Sequence, residues 1–179
     1  MFKSIAEMME LSEKDKKSLH EVIILKEMEI SKKSRHFIEE RLQKSLRIMK
    51  SSLENGVKID VVLPIREAME QSKKMLARSF FLSKDVKEAV YWAMSIIEYS
   101  CGMGLIVAAP TAGSCGVLPA TLFKAKEMLK KDEKRLFESF IVGSAIGVIC
   151  GNRATISGSE GGCQAEIGVA SAMAAASIT

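Results

Sequence analysis

The chain has 179 residues, 47% of them hydrophobic, which is enough to bury one sizeable core and excludes an intrinsically disordered protein. Its net charge of +4 is spread over a first half in which acidic and basic residues interleave, a pattern typical of solvated helix faces and not of a nucleic-acid-binding patch. The four cysteines lie in apolar or glycine-rich surroundings and the opening residues form no secretory signal, so we expect a reducing, cytoplasmic compartment.

Two helices are predicted in the first third of the chain. Ser12, followed by Asp15, can cap a first helix that runs towards Glu29. A second helix is expected to begin after Ser31 or Ser34, because apolar residues then recur along one face. They are Phe37, Ile38, Leu42, Leu46 and Met49.

The dipeptide Asn55-Gly56 is expected to end the second helix, since both residues tolerate the left-handed conformation that stops helices. We place a domain boundary here, between an N-terminal helical segment over 1–56 and a second helical domain over 57–179. Asp60 and Pro64 indicate the next helix start.

Ser83 is expected to cap a further helix with an apolar stripe on one side. The stripe consists of Val86, Val90, Met94, Ile97 and Cys101. We interpret it as a face that packs in the core, and Cys101 as part of that packing.

Small, uncharged residues follow. The run AAPTAGSCGVLPATL (108–122) predicts a glycine-bearing loop and then a helix with Pro119 in its first turns, running to about Lys131. Asp132 can cap the next helix, whose segment 137–150 is apolar on most sides and therefore buried. The prolines and glycines of this region exclude a membrane span, since irregular backbone in lipid leaves amides unpaired.

A second polar, glycine-rich loop, GNRATISGSEGGC (151–163), precedes an alanine-rich helix over 165–177. No alternation with period two persists, so the predicted fold is all-α, a multi-helix, bundle-like domain with two glycine-rich loops. No stop signal precedes Thr179, and we expect the sequence to be part of a longer chain.

The first loop offers hydroxyls and unobstructed backbone amides beside a helix N-terminus. Thr111, Ala112, Gly113 and Ser114 would suit a carboxylate or phosphate. A tight helix–helix connection needs the same glycines, so the residues alone leave both interpretations open.

The second loop supplies the amide of Asn152, the cation of Arg153 and the hydroxyl of Ser157. Gly161-Gly162 place Cys163 at or near the start of a helix, where the amides of the first turn stabilise a thiolate. A metal ligand, a nucleophile and a buried structural cysteine remain open for Cys163.

These two runs carry a resemblance. AAPTAGSCGVLPATLF resembles the TPTAGSAG-type loop, and GNRATISGSEGGCQAEIGVASAMAAA the cluster-binding segment, of the α chain of iron-sulfur-dependent L-serine dehydratases; the opening MFKSIAEMMELSEKDKKSLHEVIILKEME is similar to the helical start of that chain. The resemblance implies a 4Fe-4S cluster held by three cysteines, with Cys163 as the first and the others beyond Thr179. It assigns Cys101, Cys115 and Cys150 to packing.

The resemblance further implies deamination of L-serine to pyruvate and ammonia by a β-elimination that the open iron assists as a Lewis acid, without pyridoxal phosphate. Neither loop contains a lysine for a Schiff base. The segments 111–114 and 152–157 would hold the substrate carboxylate and amine, with Arg153 as a carboxylate partner.

The general base would be a histidine in an SSSHT-type motif of a separate β chain, because this sequence lacks the motif and its histidines, His20 and His36, lie on charged helices. A small amino-acid substrate, a β chain and an oligomer are therefore the expected partners. Where the family has an SGLTGGDA-type stretch, this chain has GVKIDVVLPIREAMEQSKKMLARSFFLS (56–83). A lyase for a related amino acid such as L-cysteine, and a divergent or truncated non-catalytic helical subunit, remain alternatives.

Overall fold

The computed structural model describes residues 2–58, 71–78 and 81–179. Within these ranges the chain forms helices and no strand, which confirms the predicted all-α class. The helices are α1 (Ile5–Asp15), α2 (Leu19–Ser31), α3 (Arg35–Lys58), α4 (Gln71–Ala77), α5 (Lys84–Cys101), α6 (Val117–Met128), α7 (Glu133–Arg153), α8 (Gly158–Gly161) and α9 (Cys163–Ile178).

The predicted first helix is two helices, and neither Ser12 nor Asp15 caps one. Both residues lie in the last turn of α1, whose N-cap is Ser4. Lys16 adopts the left-handed conformation, with φ of 51°, and this ends α1 before α2 begins. The break between the two helices spans only residues 16–18.

The prediction that Asn55-Gly56 ends the second helix is wrong, because α3 continues through both residues to Lys58. Gly56 instead allows a close approach to α5: a Cβ on Gly56 would lie 2.6 Å from the carbonyl oxygen of Ser95. The proposed boundary between 1–56 and 57–179 therefore falls inside a helix, and the domain division stays a prediction.

The apolar stripe assigned to the core in α5 is largely on the surface. Val86 and Val90 are 49% and 36% exposed, and Cys101 is exposed at the last position of the helix. The buried residues of α5 are Ser95 and Ile96. Since α3 approaches the α5 backbone closely, a small serine faces it. Of the stripe, Ile97 packs at the edge of the cluster of Leu53, Ile96 and Cys115.

Several predicted helix ends are confirmed. Ser83 accepts a hydrogen bond from a backbone N–H at the start of α5, and Asp132 does the same at the start of α7. Pro119 lies in the first turn of α6, which ends at Met128, somewhat before the predicted end. Asp60 and Pro64 lie outside the described residues.

The interface between α7 and α9 positions the start of α9. Gly143 and Gly147 of α7 face Met173 and Ser177 of α9, and a Cβ on Gly143 would lie 2.8 Å from the Met173 carbonyl oxygen. Glycine therefore lets the two helices pack backbone against backbone. None of the helices within the described ranges has the length and apolar composition that a bilayer crossing requires.

Candidate functional site

The first loop is held from the inside and open on the outside. Ser114 is fully buried, and its hydroxyl lies 3.0 Å from that of Thr111 and 3.3 Å from the carbonyl oxygen of Ala109. Ala112 and Gly113 are exposed at the tip. The loop therefore presents its tip backbone to solvent while Ser114 fixes its base.

The three cysteines outside the second loop differ in their surroundings. Cys115 is buried in a cluster with Leu53 and Ile96, and burial raises the pKa of its thiol to about 11. Cys150 packs at the edge of the cluster formed by α2 and α7. Both fit the predicted packing role. The assignment of Cys101 to packing is wrong, because it lies exposed where α5 ends.

The second loop is shorter than the sequence predicts, because Asn152 and Arg153 belong to the last turn of α7. Arg153 donates a hydrogen bond from Nη1 to the backbone carbonyl of Lys3 at 3.3 Å, and so points towards the N-terminal segment. Ser157 is the N-cap of α8 and accepts the backbone N–H of Ser159. Two of the predicted binding side chains thus have structural partners.

Asn152 meets the first loop across a cleft of about 420 Å³. The lining of this cleft includes Ala109 and Pro110 at the start of the first loop, and Gly151, Asn152 and Ile156. The two polar segments, which are some forty residues apart in sequence, therefore border a common space.

Cys163 is the first residue of α9, which confirms the predicted position at a helix start. Its side chain is exposed. Gly162 before it has a φ of 76°, a conformation that residues with a side chain rarely adopt. Within the described ranges, no three His, Cys, Asp or Glu side chains come together to hold a metal ion. An exposed thiol at this position fits one ligand of an iron-sulfur cluster, and a single thiol cannot hold a cluster alone.

Sequence reasoning missed Glu166, which joins the two loops. Its Oε1 accepts a hydrogen bond from the Thr111 hydroxyl at 2.5 Å. A Cβ on Gly113 would lie 3.2 Å from Oε1, and a Cβ on Gly158 would lie 2.9 Å from the carboxyl carbon. The carboxylate therefore occupies the space that glycines of the first loop and of α8 leave open.

Glu166 also ties the first loop to Cys163. The two residues are three positions apart in α9, so their side chains lie on neighbouring positions of one helix face. Thr111 is thereby hydrogen-bonded to a residue that lies about one helical turn, roughly 5 Å along the axis, from the cysteine. An acidic residue in a helix that is otherwise uncharged was the available sequence signal.

Known proteins match the chain as well. The family of the serine dehydratase alpha chain matches residues 14–179. A Bacillus subtilis protein named "Probable L-serine dehydratase, alpha chain" is 33% identical over 99% of this chain and 60% of its own length.

Two other relatives match a shorter part of this chain at a higher sequence identity. The L-serine dehydratase alpha chain of Peptoniphilus asaccharolyticus is 47% identical over 55% of this chain and 32% of its own. A Latilactobacillus sakei alpha chain, also described as probable, is 45% identical over 50% and 43%. The chain thus spans between about a third and three fifths of these relatives. It belongs to the serine dehydratase α-chain family.

Proposed function

We propose that this chain is the α part of an iron-sulfur-dependent L-serine dehydratase, an L-serine ammonia-lyase that converts L-serine to pyruvate and ammonia. Family membership supports the reaction class, since its relatives carry that name. One observation supports the position of the site: the Thr111–Glu166 hydrogen bond, which holds the first loop against the helix that begins with Cys163.

In this proposal, Cys163 supplies one thiolate of a 4Fe-4S cluster, and the remaining cysteine ligands lie beyond Thr179. Its exposure leaves the thiol accessible to such a group. When bound, the cluster would supply a Lewis acid that makes the serine hydroxyl a better leaving group. The chemistry then needs no pyridoxal phosphate.

The described residues would bind and orient the substrate. Ala112 and Gly113 are exposed at the loop tip, where their backbone amides would suit the substrate carboxylate. Asn152 borders the cleft that Ala109 and Pro110 also line, and could add a side-chain amide from there. Arg153 would reach a carboxylate only after leaving its bond to Lys3.

The proposed elimination removes the α-proton and the hydroxyl group of the substrate, and it needs a partner chain as well as this one. A base on the β chain would take the α-proton, and the hydroxyl would leave as water, giving aminoacrylate. Hydrolysis of aminoacrylate yields pyruvate and ammonia. We therefore propose a cytoplasmic oligomer of α and β chains, with a small amino acid as substrate.

Release of a 2-oxo acid under anaerobic conditions tests the proposal: pyruvate from serine or cysteine, and 2-oxobutanoate from threonine. The complete α chain with its β partner is incubated with L-serine, L-cysteine, L-threonine or D-serine, the last as a stereochemical control. We expect pyruvate from L-serine and none from D-serine. Faster pyruvate release from L-cysteine would assign the related lyase activity, and no product from any of them would support a non-catalytic helical subunit.

A further inference from the structure

We propose that Glu166 is a positioning residue that turns the Thr111 corner of the site into a subsite for the substrate ammonium group. The inference rests on the proposed function, because it assigns one end of an amino-acid substrate to a part of that site. It goes further by separating the two ends: the ammonium at Thr111 and Glu166, the carboxylate at the loop tip.

The Thr111 hydroxyl can only accept a hydrogen bond from a ligand, because its one proton is already used. A threonine hydroxyl has one proton and two lone pairs, and here the proton goes to Glu166 Oε1 at 2.5 Å. The Ser114 hydroxyl, 3.0 Å away, also has one proton, which goes either to Thr111 Oγ1 or to the carbonyl oxygen of Ala109 at 3.3 Å. In either case Thr111 has no proton left and keeps at least one lone pair, so it offers an acceptor to an incoming ligand.

The negative charge of Glu166 favours the ammonium end of the substrate at this corner. In the part of the chain that the structure describes, no lysine or arginine forms an ion pair with Glu166. A carboxylate without a cationic partner attracts a cation and repels an anion. The carboxylate end of an amino acid is therefore disfavoured here, and its ammonium end is favoured.

The Glu166 carboxylate lies in a space that two glycines leave open. Gly113 and Gly158 flank Glu166 from the two loops, and each would bring a Cβ into close contact with it. Because both flanking positions lack a side chain, the carboxylate can lie between the loops and set their separation. Ala112 and Gly113 follow Thr111 directly and are exposed, so the two subsites are adjacent, as the two ends of one amino acid require.

Two ligands that each lack one feature of L-serine test the assignment. L-alanine has the ammonium and carboxylate groups, whereas 3-hydroxypropanoate has the carboxylate and hydroxyl but no ammonium. Glu166→Gln keeps an oxygen that can accept the Thr111 hydroxyl, removes the charge and replaces the second carboxylate oxygen with an amide NH2 group. Glu160→Gln is the matched control, because Glu160 accepts the hydroxyl of Thr155 at 2.7 Å in the same way but does not contact the first loop.

In the complete enzyme, we expect Glu166→Gln to raise the KM for L-serine and the inhibition constant of L-alanine by about tenfold or more, the loss of one charge-assisted contact. The inhibition constant of 3-hydroxypropanoate should change by less than about twofold, and kcat should fall less than KM rises. Glu160→Gln should leave the ratio of the two inhibition constants unchanged.

Equal weakening of both ligands would reduce Glu166 to a structural role and overturn the proposal, as would unchanged L-alanine binding. Should Glu166→Gln fail to fold by circular dichroism, Thr111→Val is expected to give the same selective loss, and an unselective loss would be contrary evidence. If the wild type releases no pyruvate, the proposed function fails separately. Calorimetric titration with the same two ligands then decides: selective loss of L-alanine supports the subsite, and any other result, including no binding to the wild type, rejects it.

Discussion

At the scale of single residues, Lys124 shows how the fold places a charge inside. Its side chain is 5% exposed, and Nζ lies 2.7 Å from Glu88, 3.2 Å from Glu127 and 3.3 Å from Asp85. Nζ also lies 5.3 Å from the centre of the Trp92 ring. One ammonium group thereby joins α5 to α6 near the base of the first loop.

Replacing Lys124 by Met should lower the free energy of unfolding by about 1–3 kcal/mol at neutral pH, since it removes hydrogen bonds between charged groups. The hydrogen bond to Glu88 is the main reason why the pKa of Lys124 is raised above its ordinary 10.5. Because its pKa is raised on folding, Lys124 contributes its full stabilisation below pH 10.5, and this contribution is lost as the pH rises through the pKa of the folded state. The difference from wild type should therefore be constant around neutral pH and shrink only above 10.5.

Urea unfolding at several pH values measures this difference. Lys126→Met is the control, because Lys126 pairs with Glu133, whose side chain is 68% exposed. We expect that change to cost about 0.5 kcal/mol or less, as exposed pairs do. Equal costs for the two lysine variants would refute the account of Lys124.

Residues of the site were predictable to different degrees. Thr111 and Cys163 stand in unusual runs of sequence, so composition and resemblance identify them. Glu166 was not predicted because its hydrogen-bond partner, Thr111, is 55 positions away in sequence. Helical periodicity carries no information about contacts between separate segments. Arg153 was a reasonable ligand candidate by its charge, and only the fold reveals its bond to Lys3.

At the scale of helices, the contact of α7 with α9 depends on glycine. Gly143→Ala would place a Cβ against the Met173 backbone, which cannot move out of the way independently. We expect a loss of about 1–3 kcal/mol in unfolding free energy, as in other overpacked interfaces.

Gly168→Ala provides the matched control for Gly143→Ala. Gly168 lies in α9, and a Cβ added there would have no atom within 4 Å apart from its chain neighbours and the backbone of its own helix, so the new methyl group meets open space. This change should stabilise α9 by about 0.5–1 kcal/mol, since alanine favours helix more than glycine does. Denaturant midpoints measured side by side test both, and a Gly143→Ala variant as stable as wild type would contradict the packing described.

Helix type was easier to predict than helix ends. The apolar stripe of α3 and the caps Ser83 and Asp132 are local signals, and the structure contains them. The end at Asn55-Gly56 was wrong because the glycine serves a contact with α5 rather than a turn. A glycine in sequence has the same appearance in both roles, and only the neighbouring helix distinguishes them.

At the scale of the whole molecule, helices from the two predicted domains share one core. Residues of α1 and α2 lie in the same apolar cluster as residues of α7, and α3 contacts α5, α6 and α7. Ala109 of the first loop and Met173 of α9 lie together in another apolar cluster, so the first loop and α9 are held by the same packing. The chain nevertheless spans only part of the length of its relatives, so the activity is a property proposed for the longer protein.

The central claim is that Cys163 is a cluster ligand, and iron content tests it most directly. The complete α chain is prepared anaerobically as wild type, Cys163→Ser and Cys101→Ser, the last replacing another exposed thiol outside the site. Iron, sulfide and visible absorbance are then measured for each. We predict one 4Fe-4S cluster per chain in wild type and Cys101→Ser and its loss in Cys163→Ser; a full cluster in Cys163→Ser, or a colourless wild type without iron, would contradict the account.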